Sequence, residues 1–386
     1  MVINNNSDEI KYFDTYTKYF RSEAEIINML SVEDSIFSKE SLDNHIKNSS
    51  LYVYTPDKYY SVLNNIVPIP PKSSWLFNTK GFVINKQEYL FKKRDAKISD
   101  ILTLVSRQLS KLRGKKIGVQ LSGGLDSSLI ISILRNFDIE PVLIGMYNNR
   151  YEFRTERIVQ ENLKKSALEY SLVCDDNFLP FTDLLNTPRH VLPNASSLFF
   201  SGELKMAQLF ERSKVDIVFN GMGLDTILCL APKDKESINQ WHPFMFDDCW
   251  FRDYVYKPKN IYFTPAINSN FLVNTFWNLR WPLPEDNLKQ WARYNFSNFL
   301  PKELTNFTYK ADHAGLLIDG IKTNLLTIEY LFEFVYNETN LLEFSKDKFK
   351  KLFTNYHLSD DHKIKMILSM TSYAVWVYSL LKESST

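Results

Sequence analysis

The chain has 386 residues, 46 Lys plus Arg against 45 Asp plus Glu, and a hydrophobic fraction of 44%, the profile of a folded protein of two or three domains rather than a disordered tail or a polycation. A formal charge of +1 lacks the electrostatic footprint of sequence-independent nucleic-acid binding, so no nucleic-acid partner is expected. Glycine is scarce, 11 residues in the whole chain against about 7% in average usage, so the places where it is kept are informative.

The first residues, Met1 to Glu9, carry neither a basic region nor an apolar run, and no secretory signal is expected. Residues 1–95 hold short aromatic and β-branched runs, such as Leu51-Tyr52-Val53-Tyr54 and Trp75-Leu76-Phe77, broken by Pro56, Pro68, Pro70 and Pro71. They read as a small β-rich N-terminal module with an irregular connection, ahead of a second domain over 96–386. Behind Ser99 as N-cap, Ile101, Leu102, Val105, Leu109 and Leu112 recur at helical spacing, with Gly114 where a helix ends.

Strands are expected at Lys116–Leu121, Pro141–Tyr147, Tyr170–Val173 and Val215–Phe219, with helices over Leu129–Leu134 and from about Arg154 to Lys164. Strands alternating with helices predict an α/β fold with a doubly wound parallel sheet, whose ligands lie at the carboxyl ends of the strands. Beyond about residue 270 the periodic, aromatic-rich segments predict a mostly helical C-terminal part. The uncharged stretch Met366 to Leu381 is sixteen residues with four serine or threonine hydroxyls, short of the ~20 a membrane span needs. A buried helix and no membrane span are expected. Cys174, Cys229 and Cys249 form neither a disulfide framework nor, with the six histidines, a zinc spacing, so a reduced cytoplasmic protein is expected.

The chemistry gathers at Leu121-Ser122-Gly123-Gly124-Leu125-Asp126-Ser127-Ser128, between the first of these strands and its helix. Two glycines at a helix N-terminus present backbone amides with no Cβ in the way, which is an anion site. The serine hydroxyls at 122, 127 and 128 add donors for a phosphate. Asp126 would repel phosphate unless a cation lies between them, which implies Mg²⁺.

The Ser-Gly-Gly-Leu-Asp-Ser string resembles the pyrophosphate loop of the ATP pyrophosphatases, which have the HUP-like fold and split ATP into AMP and pyrophosphate. A second segment, Asn220-Gly221-Met222-Gly223-Leu224-Asp225, again follows an apolar strand and resembles the Gly-x-Gly-x-Asp segment of the asparagine synthetase family. The resemblance implies ATP and Mg²⁺ as cofactors, with Asp126 and Asp225 holding the metal. It also implies nucleotide contacts from Leu121, Ser122, Gly123, Gly124, Asp126, Ser127 and Ser128 in the first loop, from Gly145 and Met146 at the second strand, and from Asn220, Gly221, Met222 and Gly223. Thr264-Pro265-Ala266-Ile267-Asn268, Leu288–Tyr294, Phe299–Leu304 and Tyr309-Lys310 follow the order of that family's synthetase domain. Lys310 matches its charge-stabilising catalytic lysine, beside Asp126 and Asp225 in the catalytic set. Arg293 and Glu156 match further charged positions, with a salt bridge or a helix cap explaining each equally well.

Two departures sharpen the reading. Glutamine-dependent members begin with a cysteine nucleophile, whereas here Val2 follows Met1 and no cysteine precedes Cys174, so no glutaminase is expected. The module of ~95 residues then reads as a reduced, non-catalytic remnant, and Val67-Pro68-Ile69-Pro70-Pro71-Lys72 resembles the piece joining the two domains. Met222 stands where family branches place an acid or a tyrosine, and it can neither bind nor deprotonate an amine. Lasso peptide cyclases do not rely on an acid there, and their C-terminal helix is similar to Asp360–Lys382. The implied activity is ATP-dependent amide formation that closes a peptide macrolactam, with a precursor peptide and its protease as partners. The alternatives are a small-molecule ligase like the β-lactam synthetases or an ammonia-using asparagine synthetase, and, from Met222, Leu224 and Thr226, a decayed scaffold that binds a peptide.

Overall fold

The computed structural model describes residues 2–5, 11–14, 16–30, 66–69, 73–78, 81–84, 94–95, 109–150, 154–165, 167, 169–174, 179–222, 250–265, 279–280, 290, 293–294, 296–298, 300–305, 314–339, 344, 347, 350–351 and 361–382. Among the described residues of the first 95, six short strands form two antiparallel sheets. Strand β1 (Val2–Asn5) pairs with β5 (Ser73–Asn78), which pairs with β6 (Gly81–Ile84). The second sheet has β2 (Lys11–Asp14) at its centre, flanked by β3 (Phe20–Arg21) and β4 (Ile66–Ile69). Pro68, expected in an irregular connection, lies inside β4 opposite Tyr12. It is tolerated because β4 is an edge strand, where a missing N–H costs no ladder hydrogen bond. The run Leu51–Tyr54 and the helix expected ahead of Leu109 lie outside the described residues.

Helix α1 (Glu23–Leu30) follows β3. It begins with a reciprocal cap in which Glu25 N donates to Ser22 Oγ at 3.3 Å and Ser22 N donates to Glu25 Oε2 at 2.7 Å. A last strand of this part, β7 (Arg94–Asp95), lies parallel to Leu279–Arg280. Gly114, at φ +80°, takes the left-handed conformation that ends the short helical turn Ser110–Leu112.

The centre of the molecule is a five-stranded parallel sheet made of β8 (Ile117–Gln120), β9 (Val142–Tyr147), β10 (Tyr170–Cys174), β11 (Ile217–Asn220) and β12 (Tyr262–Pro265). Its order is β10-β9-β8-β11-β12. The chain therefore winds outward from β8 to one edge and then returns to build the other. This is the expected α/β architecture, with its switch point between β8 and β11. Four of the strands lie within a residue or two of their expected bounds. The fifth, β12, was not anticipated, because only four residues of it pair and a proline closes them.

Helices α2 (Leu125–Asn136), α3 (Arg154–Lys165) and α4 (Phe200–Arg212) connect these strands. Val142 and Ile144 of β9 and Val218 of β11 pack with Phe210 of α4 and with Trp250, Phe251 and Tyr256. Leu143 is equally buried, and alternation along a strand turns it to the opposite face, so both faces of the sheet are covered. A Cβ on Gly118 would lie 2.6 Å from the Phe210 ring, so glycine there lets α4 settle directly on β8.

Beyond residue 270 the described part is mostly helix, as expected, apart from β13 (Leu279–Arg280). Helices α5 (Ala314–Thr323), α6 (Leu325–Thr339) and α7 (Asp361–Leu381) form a second apolar cluster around Trp376, Phe332 and Phe344. Tyr12, Ile26 and Ile66, from the first 95 residues, belong to that same cluster. In α6, Ile328, Leu331, Phe332 and Val335 recur every three to four residues on the buried face.

Helix α7 is buried nearly all round and is long and apolar enough, over Lys363–Leu381, to pass for a membrane span, yet 78% of that window is covered by protein. Arg189 satisfies its terminal carbonyls, donating from Nη2 to Leu380 O at 2.7 Å and from Nε to Ser379 O at 3.3 Å. Trp376 Nε1 donates to His190 O at 2.9 Å, tying the same segment to the middle of the helix.

Candidate active site

The segments singled out from the sequence leave the sheet at its switch point. Strand β8 runs into Leu121, whose N–H donates to Ile144 O at 2.8 Å. Leu121 is 1% exposed, so it offers the site only its backbone. Ser122 is exposed, Gly123 takes φ +85°, and Gly124 is the extended residue that opens α2 with no side-chain cap. The uncapped first turn of α2 therefore has backbone donors to offer an anion.

The loop is stiffened from inside. Ser122 Oγ and Ser127 Oγ share a hydrogen bond of 2.9 Å, and Gly124 N donates to Ser122 Oγ at 3.3 Å. Ser128 is fully buried and its hydroxyl has no partner among the described residues, so it lies on the packed side of α2. Glycine at 123 is required twice over. Its φ belongs to the left-handed region, and a Cβ there would stand 2.2 Å from the Glu156 carbonyl oxygen in the first turn of α3. Glu156 thus backs the loop through its main chain.

Gln160, one turn further along α3 and 1% exposed, donates from Nε2 to Leu121 O at 2.8 Å and Met146 O at 3.3 Å. One buried side chain so fastens the ends of β8 and β9 together, beside the expected contacts Gly145, which is buried, and Met146, which is half-buried.

The second segment meets the first. Gly221 follows β11 directly, and a Cβ on it would lie 3.0 Å from both Asp126 Cβ and Ser127 N. Gly221 therefore adjoins Asp126 and Ser127. Met222 turns its side chain to the apolar cluster of α4 and Trp250. Arg293 donates from Nη1 to Leu304 O. Gly223, Leu224, Asp225, Thr226 and Lys310 lie outside the described residues. Among those described, no group of three or more His, Cys, Asp or Glu could hold a metal ion unaided. Asp126, in the first turn of α2 beside the glycine loop, fits Mg²⁺, which takes one or two carboxylates and completes its shell with phosphate and water.

Beneath the second segment runs a buried polar chain not expected from the sequence. Pairing sets Val218 beside Gly118 and Phe219 beside Val119, so Asn220 falls next to Gln120. Asn220 Nδ2 donates to Gln120 Oε1. Gln120 Nε2 donates to Glu203 Oε2 at 2.7 Å and Tyr256 Oη at 2.5 Å, and Tyr256 Oη donates to Glu203 Oε2 at 3.1 Å. Burial pushes the Glu203 carboxyl up to about 7, against the hydrogen bonds from Gln120 and Tyr256 that pull it down. The signal available in the sequence was Gln120 itself, a polar residue at the end of an apolar strand just before the glycines.

Residues 105–300, just over half of the chain, match the family model for asparagine synthase. No curated protein matches the chain. With paired loops at the switch point of a parallel sheet inside the matched region, the chain belongs to the asparagine synthase family of ATP-dependent amide ligases.

Proposed function

We propose that the protein closes a peptide macrolactam, joining a carboxylate and an amine of one peptide at the expense of ATP and without hydrolysing glutamine. The observation that carries this reading is Met222, packed into the apolar cluster beside α4 and Trp250, where an acid or a tyrosine would serve a small-molecule amine. A free α-amine has a pKa of roughly 8, so a fraction is neutral near pH 7 and can attack without a dedicated base. The absence of any cysteine before Cys174 supports an amine that comes from the substrate.

In this reading a substrate carboxylate oxygen attacks the α-phosphorus of ATP and pyrophosphate leaves, giving an acyl-adenylate. The amine then attacks the acyl carbon, AMP leaves with its bonding electrons on oxygen, and the nitrogen sheds a proton. The first-turn amides of α2, with the Ser122 and Ser127 hydroxyls, hold the phosphates. Asp126 and Asp225 would hold Mg²⁺, which when bound neutralises phosphate charge. Lys310 stabilises the charge that develops on the adenylate. The residues before 95 act as a non-catalytic module, and a precursor peptide with its protease supplies the substrate.

The test is to incubate the protein with ATP, Mg²⁺ and candidate precursor peptides, and to measure AMP and a product lighter by one water. AMP formed with free aspartate or ammonia but with no peptide would replace this reading by a small-molecule ligase. No AMP with any carboxylate would replace it by a peptide-binding scaffold.

A further inference from the structure

We infer that Gln120 and Glu203 are positioning residues for the second nucleotide segment, fixing the shape of Asn220-Gly221-Met222 through a one-directional chain of hydrogen bonds. Neither touches the reacting groups. Their effect reaches the site through the Asn220 side chain, whose Oδ1 accepts from Met222 N at 2.5 Å.

The direction of the chain follows from which of its members can donate. Glu203 Oε2, as a carboxylate oxygen, accepts from both Gln120 Nε2 and Tyr256 Oη. With its two N–H groups committed to Glu203 and Tyr256, Gln120 must turn its oxygen toward β11. Asn220 must then present Nδ2 to that oxygen, which leaves Oδ1 for the Met222 amide. Turning over either amide would set oxygen against oxygen at one end and N–H against N–H at the other. The orientation of a loop amide is thus decided by a carboxylate two side chains away.

The chain is held rigidly enough to matter. Gln120 is 7% exposed, Asn220 6% and Tyr256 0%, so water offers little replacement for a lost partner. The Tyr256 ring is stacked on Phe263 with centroids 4.4 Å apart. It closes a π-helical turn, Arg252–Tyr256, a geometry that is rare in helices and concentrated at functional sites. At the other end, the bond from Met222 N to Asn220 Oδ1 bends the chain so that Gly221 rests on Asp126 and Ser127. A loosened chain would let Gly221 drift off the first loop and spoil the cradle that the two segments form together.

The inference rests on the proposed nucleotide site only for its second readout, ATP affinity. The first is hydrogen exchange of residues 217–222 in the full chain without ATP. Gln120→Leu and Glu203→Leu should each speed that exchange about tenfold, the worth of a typical buried hydrogen bond, and leave residues 361–381 unchanged. ATP affinity should fall by a similar factor. Glu203→Gln keeps an oxygen able to accept both bonds and should restore slow exchange, a rescue that a purely steric role would not show. Unchanged exchange in both leucine variants, or Glu203→Gln exchanging as fast as Glu203→Leu, overturns the inference. Should the leucine variants also open residues 361–381, Gln120→Met and Tyr256→Phe decide. At least one must raise exchange at 217–222 severalfold with 361–381 protected, and failure of both overturns it. Wild-type protein that binds no ATP would sink the proposed function, while the exchange result would still judge the chain of hydrogen bonds.

Discussion

Gly221 stands against Asp126 so closely that a methyl group on its α-carbon would lie 3.0 Å from Asp126 Cβ. This contact joins two motifs that are almost a hundred residues apart in sequence, and it exists because β8 and β11 are neighbours at the point where the sheet reverses. The expected roles of both loops can be tested one residue at a time.

Gly123→Ala should abolish ATP-dependent AMP formation, lowering it by at least about a hundredfold. The left-handed backbone costs a side chain roughly 1–2 kcal/mol, and the clash with Glu156 O at 2.2 Å cannot be relieved without moving α3. AMP release read alongside a thermal melt checks this. A fall in AMP with the melting temperature lowered by only a few degrees places the damage in the loop.

Asp126→Asn should keep the fold, because the side chain is near-isosteric and only half-buried in the first turn of α2. It should lose Mg²⁺-dependent pyrophosphate formation by two orders of magnitude or more, and chelating the metal in the wild type should do the same. Turnover retained in the variant, measured by pyrophosphate release, would remove Asp126 from the metal site.

Two buried titrating groups give opposite pH slopes to stability. Glu203, raised by burial from 4.5 to about 7, binds its proton more tightly in the folded chain than in the unfolded one. Its contribution is therefore full below pH 4.5 and lost as pH climbs to about 7. His190, lowered by burial to about 4 against the hydrogen bond that its Nδ1–H donates to Pro188 O at 2.8 Å, stays neutral in the folded chain. The unfolded chain takes up a proton near pH 6.5, so His190 removes stability as pH falls from 6.5 to about 4. Urea unfolding at pH 4.5, 5.5, 6.5 and 7.5 should show Glu203→Gln gaining on the wild type as pH rises, with a flat difference above pH 7. His190→Gln should gain on it as pH falls.

Trp376→Phe should cost about 1–3 kcal/mol, and Trp376→Ala about 3–5 kcal/mol, as core truncations do. Trp376 is fully buried, its Nε1–H donates to His190 O, and its ring packs edge-on against Tyr373. Denaturant titration measures both. A loss under 1 kcal/mol in the alanine variant would mean that α7 is not the centre of the C-terminal core.

The apolar runs at Ile117–Gln120 and Val142–Tyr147, the glycine pair before α2 and the periodic segments beyond residue 314 were all legible from sequence. Strand period, helix period and turn chemistry are local properties, set within a few residues of one another. The same locality explains the failures. Pro68 signalled a break but sits in an edge strand, a status that only the pairing partner Tyr12 confers. The four-residue β12 carries too short a pattern to stand out, and its existence depends on the exposed edge of β11.

Of the candidate site, the sequence by itself singled out the glycine-bearing loop after β8 and the segment after β11, because a backbone that is to approach an anion admits almost nothing but glycine there. Only the tertiary structure decided what surrounds them. Glu156 reaches Gly123 through a carbonyl that has no sequence signature, and Gln160 ties β8 to β9 from a helix interior. Gln120, Glu203 and Tyr256 come from a strand and two separate helical segments. Hydrogen bonds between residues 83 and 136 positions apart depend on which strands lie side by side, and that is settled by packing the whole sheet.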